Sequence, residues 1–246
     1  MNYLEDIGKY FIMLKQVFRK PQRARVFKEA LSREIEELGI KSLGIVAFIS
    51  FFIGGVIALQ TALNLNNPLI PKSLIGFAAK RSIILEFAPT FVSIILAGKV
   101  GSYITSSIGT MRVTEQIDAL EVMGINSLNY LVLPKIIATV FFYPFLIILG
   151  MFLGIFGGWL AGTLTGLFSG VDYIEGLQTD FDPYLIQYSM IKTLVFAFII
   201  ATVPSFHGYY VKGGSLEVGK ASTQSVVWTT VLIVITNYLL TQMLLT

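Results

Sequence analysis

The chain has 246 residues, 54% of them hydrophobic and 13% charged, with a mean hydropathy of +0.74. A soluble domain of this size exposes far more charge, so the composition excludes one and points to an all-α integral membrane protein. Cysteine is absent, which removes disulfides, thiolate metal sites and cysteine nucleophiles, and the basic excess of 18 Lys and Arg over 15 Asp and Glu is concentrated near the N-terminus, where membrane orientation explains it without nucleic acid.

In chain order, MNYLEDIGKYF carries Glu5 and Asp6 and has no apolar core before a small-residue cleavage site, so it does not read as a secretory signal. Ile7, Phe11, Leu14 and Phe18 then recur at helical spacing among Lys9, Lys15, Arg19 and Lys20. That pattern predicts a basic amphipathic helix lying in a membrane interface. Pro21 to Gly39 reads as a second polar helix leading into the membrane. Residues 1–42 are thus expected to form an N-terminal interfacial part, and 43–246 a five-span domain.

The spans are expected near 43–63, 83–108, 134–162, 185–206 and 224–245, each long enough for the roughly 20 residues that a bilayer requires. Span two carries Glu86 and Lys99, and span four carries Lys192. A charge near the bilayer centre costs about 2.5–3.5 kcal/mol or more, so such residues usually face a cavity or a partner. Glu86 and Lys192 each follow the start of a span entering from the same side, which gives them similar depth. Two alternatives stand beside a cavity role: Lys192 snorkels to the surface, and Glu86 pairs with nearby Arg81. Lys99 reads as an anchor at the inner end of span two. Pro89, Pro144 and Pro204 fall inside spans two, three and four, where each removes a backbone hydrogen bond and can bend its helix.

Between spans two and three the chain does not simply turn. Val113, Ile117, Leu120 and Gly124 fall on one helical face, and Glu115, Asp118 and Glu121 on the other. Gly124 suits a left-handed cap, and Pro134 suits the first turn of the next span. An acidic helix gains nothing from anionic lipid, so the pattern suggests a docking surface for a basic partner protein, with a solvated surface helix as the plain alternative. Span three then carries Gly150, Gly154, Gly158, Gly162 and Gly166 at four-residue spacing, a stripe that lets another helix backbone approach closely, more commonly within one chain. The single histidine, His207, falls at the inner end of span four as an interfacial polar residue.

Outside the spans, residues 1–42 hold nine Lys and Arg, 109–135 two and 207–223 two, against three in 64–82 and none in 163–184. The positive-inside rule therefore predicts a cytoplasmic N-terminus, an external C-terminus and a cytoplasmic acidic helix. Asp172, Glu175, Asp180 and Asp182 give the second outer loop an acidic character. No metalloprotease, hydrolase or phosphate-loop motif occurs, so active transport would require nucleotide hydrolysis by another chain.

GTMRVTEQIDALEVMGINSLNYLVLPK resembles the signature segment of the MlaE/YrbE permeases, the membrane subunits of Mla- and Mce-associated lipid ABC transporters. The likeness lies in a G-(K/R)-x-G-S element, then I-G-x-M-R-x-T-E-Q, then P-(R/K) at the next span, and it extends from residue 43 onward. Many relatives carry Ala-Glu where this chain has Ser106 and Ser107, so a role for that acid does not transfer. The resemblance implies a coupling helix with Arg112, Glu115, Ile117, Asp118, Leu120 and Glu121 as its candidate residues, and associates Glu86 and Lys192 with a lipid cavity. It further implies a homodimer in a bacterial inner membrane, with a cytosolic ABC ATPase that binds the ATP, an MCE-domain protein on the outer side and, in some systems, a STAS-domain subunit. The substrate would be a phospholipid, and this chain would carry no cofactor or catalytic site. A scaffold that recruits cytosolic proteins and a membrane-embedded lipid-modifying enzyme are the competing classes.

Overall fold

A computed structural model describes residues 3–18, 24–65 and 70–245. Among these residues there is no strand, and five helices are long and apolar enough to cross a membrane. The elements are α1 (Tyr3–Val17), α2 (Val26–Asn64), α3 (Ser73–Val113), α4 (Gln116–Val122), α5 (Ser127–Thr165), α6 (Gly170–Gln178), α7 (Pro183–Tyr209) and α8 (Ser215–Leu245). The expected Arg19 and Lys20 of the amphipathic helix, and the start of the second polar helix at residues 21–23, lie outside the described residues.

Each expected span sits inside a longer helix. The polar run before span one does not end at a break: α2 carries it straight into the apolar segment, through a π-helical turn at Ile35–Gly39 and a 3₁₀ turn at Ile40–Ser42. α3 begins at Ser73, ten residues ahead of the expected span, and α5 begins at Ser127. Pro134 is therefore an interior residue of α5 and not part of its first turn. Asn126 caps α5 in its place, with its Oδ1 accepting the Asn129 N–H at 3.1 Å.

The chain divides into two compact units. The first takes residues 1–41, 94–142 and 195–239. It is held by side chains that satisfy polar groups. α1 buries Met13 and Val17 and leaves Ile7, Phe11 and Phe18 exposed. Asn126 and Asn129 donate to the carbonyls of Gln16 and Val17, at 3.2 and 2.7 Å, which closes the free C-terminal end of α1. Tyr10 bonds Thr202 at 2.7 Å, and the Thr105 hydroxyl lies 2.7 Å from Ser225 Oγ. Lys99 donates to the main-chain carbonyl of Lys41.

The second unit takes residues 42–93, 143–194 and 240–246. Here helices meet backbone to backbone. A Cβ on Gly54 would stand 1.9 Å from the Gly154 carbonyl oxygen, and one on Gly157 would stand 2.0 Å from that of Phe51. Gly150 and Gly158 face Ser50 and Ala58 of α2, and Gly162 faces the Phe168 ring. Four members of the stripe thus pack within the chain. Gly166 does not: a Cβ there would meet nothing within 4 Å, and its φ of +70° ends α5 in a left-handed turn. Gly157, off the four-residue stripe, makes the close approach that the spacing alone assigns to its neighbours. α6, unanticipated inside the acidic loop, crosses the start of α3 at Gly76 and Gly176. Buried Lys80 donates to the carbonyls of Leu177 and Thr179, at 3.0 and 2.8 Å, and so closes the end of α6.

Candidate functional site

In the second unit, Glu86 lies on a π-helical stretch of α3, Ile83–Phe91, that also contains Pro89. Proline offers no N–H to the carbonyl one turn back, and a wider turn accommodates the mismatch. Lys192 comes from α7. Its Nζ stands 2.6 Å from Glu86 Oε1, with the lysine side chain fully buried and the glutamate side chain 36% exposed. The ammonium also lies 3.4 Å from the Leu85 carbonyl and 4.4 Å from the centre of the Tyr188 ring, one turn before it on α7.

Hydroxyls complete the cluster. Thr90, one turn after Glu86, donates to Oε2 at 3.1 Å. The Tyr188 and Thr241 hydroxyls each lie 3.4 Å from Oε1 and 2.9 Å from each other, so the far end of α8 joins the site. The structure brings Glu86 and Lys192 into direct contact. Neither alternative describes the geometry: Lys192 does not snorkel, and the Arg81 guanidinium lies over the Phe77 ring at 5.6 Å. Tyr188, Thr90 and Thr241 are not foreseen by the sequence. Thr90 is at i+4 from Glu86 and Tyr188 at i−4 from Lys192, a spacing that could have signalled both; Thr241 carries no local signal. The lysine is enclosed and the carboxylate opens outward, so the group presented to a ligand is an acceptor.

The candidate coupling segment belongs to the first unit and is not one helix. α3 ends at Val113, and Glu115 adopts φ +60°, a left-handed conformation uncommon outside glycine and asparagine. α4 then restarts at Gln116. Val113 and Ile117 therefore sit on different helices, and only the latter is fully buried. Gly124 has φ +73°, with its N–H on the Glu121 carbonyl at 2.9 Å and the Ile125 N–H on that of Leu120 at 3.0 Å, the paired bonds of a glycine-capped helix end.

The acids of this segment part company. Asp118 pairs with Arg112 at 2.6 Å, and that guanidinium stands 5.9 Å from the centre of the Tyr209 ring. Glu121 is exposed, and its carboxylate also accepts the hydroxyls of Ser127 and Tyr209, at 2.9 and 2.8 Å. Those bonds tie α4 to the start of α5 and the end of α7. Leu120 is half-buried, and Glu115 remains exposed. Two apolar residues beside these acids are also exposed, Val122 at 89% and Met123 at 65%.

A family model described as permease MlaE matches residues 31–243. A probable ABC transporter permease protein of Rickettsia bellii is 34% identical over 97% of this chain and 92% of its own length. The intermembrane phospholipid transport system permease protein MlaE of Haemophilus influenzae is 30% identical over 98% and 92% of the two chains. A chloroplastic protein of Arabidopsis thaliana, TRIGALACTOSYLDIACYLGLYCEROL 1, is 29% identical over 93% of this chain and 65% of its own.

Proposed function

Because this multi-pass membrane chain belongs to the permease MlaE family, we propose that it is the permease subunit of an ABC-type phospholipid transporter, working as a homodimer between the inner membrane and the cell envelope. The observation that carries the proposal is the Lys192–Glu86 pair inside apolar helices, with the lysine enclosed and the carboxylate opening outward. An ion pair between apolar helices is costly to maintain and is most simply retained for a ligand or a gate. Glu86 and Lys192 line or gate the lipid cavity. Glu86→Gln and Lys192→Met are each expected to lower the phospholipid that copurifies with an otherwise intact protein; unchanged lipid in both variants would sink the assignment.

The N-terminus is cytoplasmic in this proposal, which places α4 within reach of a separate ABC ATPase that binds and hydrolyses the ATP. An MCE-domain protein and, in some systems, a STAS-domain subunit complete the assembly. The bonds from Glu121 to Ser127 and Tyr209 make α4 a rigid attachment to two long helices, so a push on α4 moves their ends. Reversing Glu115 and Asp118 to Lys, or Leu120→Asp, should weaken ATPase copurification while membrane insertion is retained. Orientation is tested separately: cysteines at Val122 and Val171, both largely exposed, should label from opposite sides of the membrane.

A further inference from the structure

In the first unit, a pocket of about 500 Å³ lies between α2, α3 and the start of α5. Its lining includes a second buried ion pair: Lys135 Nζ stands 2.5 Å from Glu34 Oε1, with side chains 4% and 15% exposed. The Lys135 ammonium also lies 5.3 Å from the centre of the Tyr103 ring. The other carboxylate oxygen, Glu34 Oε2, is buried, and no described residue donates a hydrogen bond to it. A buried acceptor without a donor is unfavourable, and a carboxylate has several lone pairs to fill. Exposed Glu29 and Arg33, one turn apart on α2, add one acid and one base to the same lining. With the buried pair cancelling, the pocket offers one charge of each sign to an occupant.

We propose that this pocket binds the headgroup of a phospholipid that ends in a primary ammonium. The ammonium donates to Glu34 with Glu29 beside it, and the phosphate meets the Arg33 guanidinium and the hydroxyl of Ser107. A trimethylammonium has no N–H to give and leaves the Glu34 oxygen unserved. The occupant is a lipid, because the pocket lies where its helices change character. α2 turns apolar from Leu43, α5 turns apolar from Ile136, and Met111 and Leu131 share the lining with the charges. Basic pockets between transmembrane helices recognise anionic lipid headgroups, and a lining that adds an acid to the base suits a headgroup carrying both charges. The site is separate from Glu86 and Lys192, and it stands whether or not those residues handle transported lipid.

The test uses the full chain in detergent, with native mass spectrometry following titration by dioleoylphosphatidylethanolamine or dioleoylphosphatidylcholine. The ethanolamine lipid should bind about tenfold more tightly. Glu34→Gln should abolish the preference, and Glu29→Gln, at an exposed position not needed for folding, should narrow it. Arg33→Gln should weaken both lipids. Glu175→Gln, an exposed acid of α6 outside the pocket lining and the Glu86 cluster, should leave the preference intact. Equal binding of the two lipids, or a preference that survives Glu34→Gln, overturns the proposal. Soluble glycerophosphoethanolamine binding as tightly as the lipid overturns its lipid character. Arg33 and Glu34 variants that keep the preference but lose a copurifying cytosolic protein would assign the pocket to a protein partner instead.

Discussion

Lys192 and Lys135 are both buried lysines, each paired with a glutamate 106 or 101 residues away, yet their surroundings differ. In the second unit, hydroxyls from Thr90, Tyr188 and Thr241 surround the glutamate, which is 36% exposed. In the first unit, Glu34 is more enclosed, and one of its oxygens has no donor among the described residues. The same contrast runs through the packing. Glycines bring helices of the second unit backbone to backbone at several points, whereas in the first, where Gly208 makes one such approach to Thr105, asparagine, threonine and tyrosine side chains join the elements. Where apolar burial gives little drive, close backbone approach supplies van der Waals contact. Near helix ends, satisfying exposed carbonyls and N–H groups matters more.

The contrast predicts a ranking of variants, read by thermal or denaturant unfolding in detergent. Lys135→Met leaves Glu34 enclosed without its cation and should cost about 3–5 kcal/mol, most of it recovered in the Glu34→Gln/Lys135→Met double variant. Lys192→Met should cost less, about 2–3 kcal/mol, because three hydroxyls and partial exposure still serve Glu86. Equal costs for the two lysines would break the comparison.

Gly157→Ala should cost about 1–3 kcal/mol, since its Cβ meets a carbonyl oxygen that cannot move alone. Gly166→Ala, where the left-handed φ and not a neighbour is the obstacle, should cost about 1 kcal/mol. Tyr188→Phe should be the mildest, at about 0.5–1.5 kcal/mol, and should change lipid copurification more than stability. A Tyr188→Phe variant as damaging as Lys192→Met would make the hydroxyl, and not the ammonium, the centre of the site.

Part of the candidate site is legible in the sequence. A charge inside an apolar span is conspicuous because of what it costs, so Glu86 and Lys192 stood out one by one. Their direct pairing followed only from the crossing of α3 and α7. Lys135 and Glu34 each sit beside polar sequence, so nothing local marked them as partners. Glu121 resembles its acidic neighbours in the sequence, and the hydroxyls of Ser127 and of Tyr209, 88 residues away, distinguish it from them. The break at Glu115 was hidden for a different reason. Helical periodicity runs on through Thr114, and no glycine announces the left-handed residue.

By itself the sequence determined the all-helical class, the five apolar segments, the glycine stripe through Gly162 and the cap at Gly124, because each depends on hydropathy, local spacing or one residue's backbone freedom. Tertiary structure decided which buried charges pair, which glycine touches a facing carbonyl, and which acids of the 112–121 segment bond to other helices. Those outcomes turn on side chains about a hundred residues apart meeting in a medium of low polarity. There an ion or a hydroxyl must find a partner somewhere, but the local pattern does not say where.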